Sequence, residues 1–362
     1  MKHDVKRKTD QQLKVMADAP RGPSCTRKAK HSSCCMITAK GDIHDKADKR
    51  TSHNGSLLQQ PSKEDMHRRP GLFFWTKHFV CGVRAHQDVY LNDLPGNDFN
   101  TIFRSLPRFL GNLKNEIGSG FGPCFFFTGT PGSFYDRLFA TESLHFVHSS
   151  YSLHFLSKVP EGIESNKRNI YMASTSPPCV VKAYYDQFQT DFSMFLKYRS
   201  QELVTGGRMV LTLLGRRSND PTSKECCYIW ELLAMALSDM VSEGFVEEEK
   251  LNSFNIPKYT PCPAELKTEV EKEGSFAIDR LEVSEVNWNA NDDKLCPSDE
   301  LKDGGYNVAK CMRAVAEPIL ASHFGKTIMD EVFRRYREII ADRMSKERTE
   351  YVGFVIYFTK YL

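Results

Sequence analysis

The sequence predicts an α/β fold in which a mostly parallel sheet carries helices on both faces. Short apolar runs alternate with longer segments whose apolar residues recur every three or four positions, and turns rich in Gly, Pro, Asn and Asp separate them. This alternation is typical of α/β proteins. All 24 Phe, 14 Tyr and 3 Trp of the 362-residue chain lie after residue 70. We therefore assign the globular domain to residues 71–362.

The first predicted strands lie between residues 89 and 148. The apolar run 89–91 predicts a short buried strand, which ends in the polar, Gly- and Pro-containing stretch 92–98. Residues 124–128 and 144–148 predict two more strands, and the turn-forming sequence 129–133 follows the first of them. Three strands in this order form one half of the predicted sheet.

A helix and a buried strand follow. The apolar positions of the helix step by three or four residues and are Val181, Tyr184, Phe188, Phe192 and Phe195. Such spacing predicts an amphipathic helix with one buried face. Gly206 and Gly207 end this segment, and the apolar run 209–214 predicts a strand buried on both faces.

The last third of the chain completes the pattern. A second amphipathic helix is predicted over 229–241, and a third over 328–340. Residues 276–283 and 351–358 predict two late strands, and the Asn-, Asp- and Gly-rich stretch 285–305 predicts a loop.

Residues 1–70 differ from the rest of the chain in composition. They contain 16 Lys and Arg against 8 Asp and Glu and no aromatic residue, whereas residues 71–362 contain 33 basic against 38 acidic residues. A segment with so few apolar side chains cannot offset its ordering entropy, so we predict a mostly disordered basic tail. Its basic clusters are diluted by acids and have no aromatic to stack on a base, so we expect no nucleic-acid partner.

Composition also constrains the cellular setting. No apolar stretch approaches the roughly 20 residues that a membrane-spanning helix needs. The 11 Cys are an odd number, no pair has C-x-x-C spacing, and no apolar signal segment stands at the N-terminus. We therefore expect a cytoplasmic protein with free thiols and no membrane partner.

From about residue 89 to the C-terminus, the chain resembles the plant SABATH methyltransferases, especially the salicylate and benzoate carboxyl methyltransferases. The segments that carry the resemblance are 91–100 (LNDLPGNDFN), 131–135 (PGSFY), 148–153 (HSSYSL), 206–209 (GGRM), 273–276 (EGSF) and 313–318 (RAVAEP). The resemblance implies a Rossmann-like methyltransferase core with a helical cap, mainly within 220–275 and 300–345. It also implies S-adenosylmethionine as cofactor, a small aromatic carboxylic acid as substrate, and a homodimer.

The resemblance also implies the site residues. The cofactor would be bound by Asp93, Leu94, Ser133, Phe134 and Tyr151, with Asp93 at the ribose. The substrate would be bound by Tyr151, His154, Phe155, Leu214, Ile229, Trp230, Tyr259, Met312 and Val315. Taken alone, each apolar member of this set is more typical of a simple core residue. No catalytic acid or base is expected, because a carboxylic acid with a pKa of about 4 is already ionised at pH 7.

Three features depart from the family pattern. Phe155 stands where carboxyl methyltransferases have a Trp whose indole N–H binds the substrate carboxylate; His154 would replace this donor only if protonated. The family's magnesium site would be formed by Asn166, Asn252, Phe254 and Asn255, but Asn252 replaces a common Asp, which weakens binding of a hard cation. Residues 1–88 contain neither the family's substrate-closing segment nor its first strand with an acidic-Leu-Gly-Cys turn.

These departures leave alternatives open. If the first strand is missing, the sheet has an open slot at its centre and the cofactor site is incomplete. The chain would then be a non-catalytic protein that binds a small acid. Within the same family, a jasmonate carboxyl methyltransferase or a purine N-methyltransferase is the other alternative.

Overall fold

A computed structural model describes residues 36–40, 87–117, 125–288 and 305–361. Its strands are β1 (Met36–Lys40), β2 (Gln87–Asp93), β3 (Phe125–Pro131), β4 (Leu144–Ser150), β5 (Leu203–Gly215), β6 (Phe276–Asn287) and β7 (Glu350–Lys360). Its helices are α1 (Phe99–Ile117), α2 (Pro178–Glu202), α3 (Lys224–Ser242), α4 (Glu248–Ser253), α5 (Pro263–Glu273), α6 (Gly305–Phe324) and α7 (Met329–Lys346). The strands and helices predicted from the sequence are confirmed.

The seven strands form one sheet in the order β3-β2-β1-β4-β5-β7-β6. β2 pairs parallel with β3, and β4 pairs parallel with β5. β1 is antiparallel to both β2 and β4, and β7 is antiparallel to both β5 and β6. Five strands therefore share one direction, and the carboxyl ends of β2, β3, β4 and β5 meet at one edge of the sheet.

β1 bears on two expectations, the open slot in the sheet and the disordered tail. Met36 lies opposite Asn92 of β2, and Lys40 lies opposite Asp88. The strand fills the central position of the sheet, so the expected open slot is wrong. These five residues form a strand within the segment predicted as a disordered tail, and the remainder of 1–70 lies outside the described residues, so the tail stays a prediction.

Four helices, α1, α4, α5 and α6, were not predicted as elements. α1 contains Pro107, whose missing N–H and ring are unfavourable inside a helix. α6 contains Pro318, which is unfavourable inside a helix in the same way. It begins at Gly305, the last residue of the predicted loop. Tertiary packing overrides these local signals, because α6 buries an apolar stripe and α1 packs Ile102 and Leu106 against the sheet.

Each face of the sheet has its own core. On one face a small cluster of Val89, Leu91, Phe146 and Val210 packs against Ile102 and Leu106 of α1. On the other face a much larger cluster includes the rings of Phe188, Phe192 and Phe195 along α2, stacked at 5.5 and 6.3 Å between successive centroids. Within the described part of the chain, no helix combines the length and the apolar character needed to cross a membrane.

Candidate active site at the carboxyl edge of the sheet

The carboxyl edge of the sheet collects most of the site residues predicted from the sequence. β2 ends at Asp93, β3 at Pro131, β4 at Ser150 and β5 at Gly215. Leu94, the 133–135 turn, the 151–155 turn and Leu214 therefore come to one edge of the sheet. Clefts at this edge are the usual ligand sites of open α/β sheets.

Asp93 is buried, with 5% of its surface exposed. Its Oδ1 accepts hydrogen bonds from the Leu94 N–H at 2.8 Å and from Asn97 Nδ2 at 2.5 Å, whereas Oδ2 is buried and has no hydrogen-bond partner among the described residues. Burial raises the pKa of this carboxyl, although both hydrogen bonds oppose the shift. Asp93 thus holds one buried acceptor oxygen ready for a ligand donor such as a hydroxyl group.

The turn after β3 lies against Asp93. The Gly132 N–H donates to the Asp93 carbonyl at 2.9 Å, which joins the ends of β2 and β3. Ser133 Oγ accepts from the Tyr135 N–H at 3.2 Å. The half-buried Phe134 ring lies 4.6 Å from the Tyr135 ring and 6.3 Å from the Phe195 ring. A hydroxyl and an aromatic face therefore stand beside the Asp93 carboxylate.

A buried ion pair at the end of α2 holds this turn, and sequence reasoning missed it. Arg199 and Glu202 are fully buried, and Arg199 Nε lies 2.8 Å from Glu202 Oε2. Arg199 donates to the carbonyls of Phe134 and Asp136, both at 3.0 Å. Glu202 Oε1 accepts from the N–H groups that follow at 138 and 139, at 2.6 and 2.9 Å. The available sequence signal was an Arg and a Glu three positions apart at the C-terminal end of the predicted helix.

The turn after β4 carries Tyr151, His154 and Phe155. Tyr151 has φ 53°, and its N–H donates to the Thr212 carbonyl of β5 at 2.7 Å. Burial raises the pKa of Tyr151 to about 12, so the phenol is neutral at pH 7. Burial, together with the charge of Lys258, lowers the pKa of His154 well below its usual value. His154 is therefore neutral, and the expectation that it could replace the missing Trp donor by protonation is not supported.

The helical residues of the expected substrate pocket come from α3 and α6. Ile229, Trp230 and Met312 belong to the large core cluster, and Val315 packs against it. Tyr259 also belongs to this cluster, but its ring stacks on Phe188 at 4.8 Å and its hydroxyl donates to Glu265 at 2.9 Å. Tyr259 thus contacts α2 and α5, whereas its neighbour Lys258 lies beside Trp230, with Nζ 6.0 Å from the ring centroid.

The four residues expected to bind magnesium do not fit a hard cation. Asn166 Nδ2 donates to Asn255 Oδ1 at 2.8 Å, and Asn166 Oδ1 accepts from Ser176 Oγ at 2.7 Å. Asn252 Oδ1 accepts the N–H of Arg168 at 3.0 Å. The amide oxygens therefore already accept hydrogen bonds, and no carboxylate belongs to this group. Among the described residues, no three His, Cys, Asp or Glu side chains lie together in a cluster that could hold a metal.

Comparisons with known proteins agree with this geometry. Residues 82–361 match the model of a family described as SAM dependent carboxyl methyltransferase. The chain is 65% identical over 271 residues to the S-adenosyl-L-methionine:benzoic acid/salicylic acid carboxyl methyltransferase 3 of Petunia hybrida, covering 75% of this chain and 74% of the relative. It is 57% identical over 268 residues to the salicylate carboxymethyltransferase of Clarkia breweri, covering 74% and 72%.

A solved structure shows the same fold. The structure of loganic acid methyltransferase with SAH superimposes with a TM-score of 0.63 at 34% identity, covering 75% of this chain and 73% of that chain. The match supports the predicted α/β methyltransferase fold, including its sheet and helical cover.

Proposed function

The chain belongs to the family of SAM-dependent carboxyl methyltransferases, and we propose that it methylates the carboxylate of a small aromatic acid, with benzoate and salicylate as acceptors. The observation that carries this proposal is the buried Asp93 carboxylate, whose Oδ2 lacks a partner in the described part of the chain. It lies beside the Ser133–Phe134 turn, at the edge of the sheet that also carries the Tyr151 turn. The high identity to benzoic acid/salicylic acid enzymes supports the acceptor class.

S-adenosylmethionine supplies a methyl group on a positively charged sulfur, which an acceptor oxygen can attack directly. The residues at the edge of the sheet suit its adenosine part: Asp93 Oδ2 would accept from a ribose hydroxyl, and Ser133 and Phe134 would contact the adenine edge and face. A carboxylic acid with a pKa of about 4 needs no base at pH 7. The chain's task is therefore to orient the two reactants and exclude water.

Tyr151 and His154 suit that task because both are neutral. The buried phenol of Tyr151, with its pKa raised to about 12, does not ionise beside the acceptor. Neutral His154 does not repel the cationic sulfur. An uncharged, aromatic wall favours a flat acceptor and keeps the attacking carboxylate poorly solvated. Magnesium has no role in this proposal, because the expected ligands do not fit it. A homodimer in the cytoplasm completes the proposal, and light scattering on the purified chain tests the dimer.

The function is tested with Asp93→Asn and the matched control Asp98→Asn, since Asp98 is an exposed residue five positions on. We expect the unaltered chain to bind S-adenosylmethionine by calorimetry and to form methyl benzoate or methyl salicylate. Asp93→Asn should weaken cofactor binding about tenfold or more, as expected for losing a hydrogen bond to a charged acceptor, and Asp98→Asn should not. An acceptor panel with jasmonate and xanthine separates the family's other substrate classes.

One observation favours a second candidate, the non-catalytic acid-binding protein. β1 runs antiparallel to its neighbours, so its amino end, Met36, rather than its carboxyl end, lies at the edge that carries Asp93. A binding protein would be stabilised against heat by salicylate regardless of cofactor. Ester formation by the purified chain would exclude it.

A further inference from the structure

Lys258 is a buried cation without the partner that the chain gives its other buried cations. Four basic side chains in the described part of the chain are buried: Arg199, Arg216, Lys258 and Lys360. Arg199 pairs with Glu202, Arg216 with Glu265, and Lys360 with Glu142. Lys258 has no Asp or Glu within ion-pair distance among the described residues. Its Nζ donates a hydrogen bond to Thr260 Oγ1 at 2.7 Å.

Lys258 lies against two aromatic rings and a pair of thiols, of which Cys226 can carry an opposite charge. Although burial opposes the shift, the hydrogen bond from Cys227 and the charge of Lys258 lower the pKa of Cys226 to about 6. Its Nζ lies 5.5 Å from the ring centroid of Tyr171 and 6.0 Å from that of Trp230. Cation–π contacts of this kind recover part of the cost of removing an ammonium from water, but a buried charge normally needs an opposite charge as well. Among the described residues the Cys226 thiolate can supply that charge, and an acceptor carboxylate would compete with it for Lys258.

The location of Lys258 is that of the expected acceptor pocket. Phe155 and Lys258 form an antiparallel bridge, and the Tyr259 N–H donates to the His154 carbonyl at 2.8 Å. His154 Nδ1 is buried and has no hydrogen-bond partner among the described residues. One short pairing thus brings an ammonium and an unpartnered imidazole nitrogen to the turn where Phe155 provides no donor.

We propose that the Lys258 ammonium binds the carboxylate of the acceptor, supplying the charge that Phe155 cannot. This inference rests on the proposed function and names the group that makes the same site select acids over neutral ring compounds of equal size. Binding the anion satisfies the buried cation, so the interaction is stronger than one at the protein surface. The carboxylate remains ionised and keeps its second oxygen for the transferred methyl group.

The titratable groups that face Lys258 come from three segments. They are Cys226 and Cys227 on α3, Tyr171 in the loop before α2, and His154 in the turn after β4. Burial lowers the pKa of Lys258 to about 8, against the opposing effect of both Cys. His154 and Tyr171 are neutral near pH 8, because burial shifts the pKa of His154 well below and that of Tyr171 well above its usual value. Acid binding should therefore weaken as pH rises through about 8.

The test compares Lys258→Met and Lys258→Gln with the control Lys267→Met, in which an exposed lysine of α5 loses its charge. Calorimetry measures binding of benzoate and of its neutral analogue benzamide, in the presence of S-adenosylhomocysteine. We expect both Lys258 variants to bind benzoate about 10- to 100-fold more weakly, with benzamide and S-adenosylhomocysteine affinities unchanged. Gln at position 258 can still donate a hydrogen bond to Thr260. The Lys258→Gln variant should therefore fold normally, and its loss of benzoate binding then reports on the charge.

Cys226 is tested as the competing counter-ion of Lys258. Cys226→Ala should bind benzoate at pH 6 as tightly as the unaltered chain or more tightly. Its loss of affinity with rising pH should begin at a lower pH, because Cys226 raises the pKa of Lys258. Loss of benzoate binding in this variant would overturn the proposal, as would equal losses of benzoate and benzamide in the Lys258 variants. Benzoate binding that depends on Lys258 without ester formation would overturn the proposed function alone. Ester formation with Lys258→Met binding benzoate normally would overturn the present inference alone.

Discussion

Removing Arg199 should both destabilise the protein and weaken cofactor binding. The guanidinium is fully buried and contacts two carbonyls of the 133–139 turn as well as Glu202. Arg199→Met would leave the Glu202 carboxylate buried without its cation, a change that costs about 3–5 kcal/mol. For a domain of this size that corresponds to a melting temperature lower by about 6–10 °C.

The weaker binding of the cofactor follows from the same contacts of Arg199. The Phe134 and Asp136 carbonyls would each lose a hydrogen bond of 3.0 Å, worth about 1 kcal/mol. Because the turn would have to be reordered when S-adenosylmethionine binds, the dissociation constant should rise about tenfold or more. Calorimetry measures this change, and scanning fluorimetry measures the melting temperature. Lys197→Met, an exposed position on the same helix, is the control.

The double variant Arg199→Met/Glu202→Gln separates charge from turn geometry. Gln is neutral and its carbonyl can still accept from the Leu138 and Phe139 N–H groups, so the double variant should be more stable than Arg199→Met alone. Cofactor affinity should remain low, because both carbonyls still lack their donor. A double variant less stable than the single one, or normal cofactor affinity in Arg199→Met, would refute this account of the pair.

Three further predictions concern other sites. Phe155→Trp should lower the KM for benzoate, because an indole N–H becomes available to the carboxylate. The larger ring should lower the free energy of unfolding by about 1–3 kcal/mol. An unchanged KM would argue against Phe155 as part of the acceptor site. Magnesium or a chelator should leave the melting temperature unchanged, and Asn252→Asp should create a magnesium-dependent rise. Gly215→Ala should destabilise the protein strongly, because a Cβ there would overlap the Phe354 ring, whereas Gly111→Ala, in open space on α1, should stabilise it by up to about 1 kcal/mol in urea unfolding.

Sequence reasoning identified the elements whose apolar pattern is strong. The structure buries Tyr184, Phe188, Phe192 and Phe195 of α2 as predicted, whereas Val181 is only partly buried. Most of the predicted apolar run in β5 is buried as well. The resemblance to the SABATH family, rather than the apolar pattern, grouped Asp93 with the 133–134 turn. The apolar pattern missed α1 and α6, since an internal Pro hides a helix whose stability comes from packing, on the sheet for α1 and on α7 for α6.

The polar contacts of the site were less accessible from the sequence. Nothing in the spacing of Arg199 and Glu202 shows that both point inward rather than into water, where such a pair contributes little. Lys258 is similarly ambiguous, because it stands next to Tyr259 in a short extended segment. In extended chain, adjacent side chains point in opposite directions, so one of the two must lie on the Trp230 side. The structure places Lys258 there and directs the Tyr259 ring toward α2.

β1 shows why the centre of the sheet could not be predicted. The five residues 36–40 are flanked by polar sequence, and a strand forms backbone hydrogen bonds to neighbours in either direction, so neither its presence nor its orientation is encoded in a strong pattern. The direction of β1 decides which of its ends lies at the edge that carries Asp93. A strand parallel to β2 would deliver its following turn to the edge that carries Asp93, but β1 begins at that edge and ends at the opposite one. β1 therefore brings its first residue, Met36, rather than a following turn to the edge that carries Asp93.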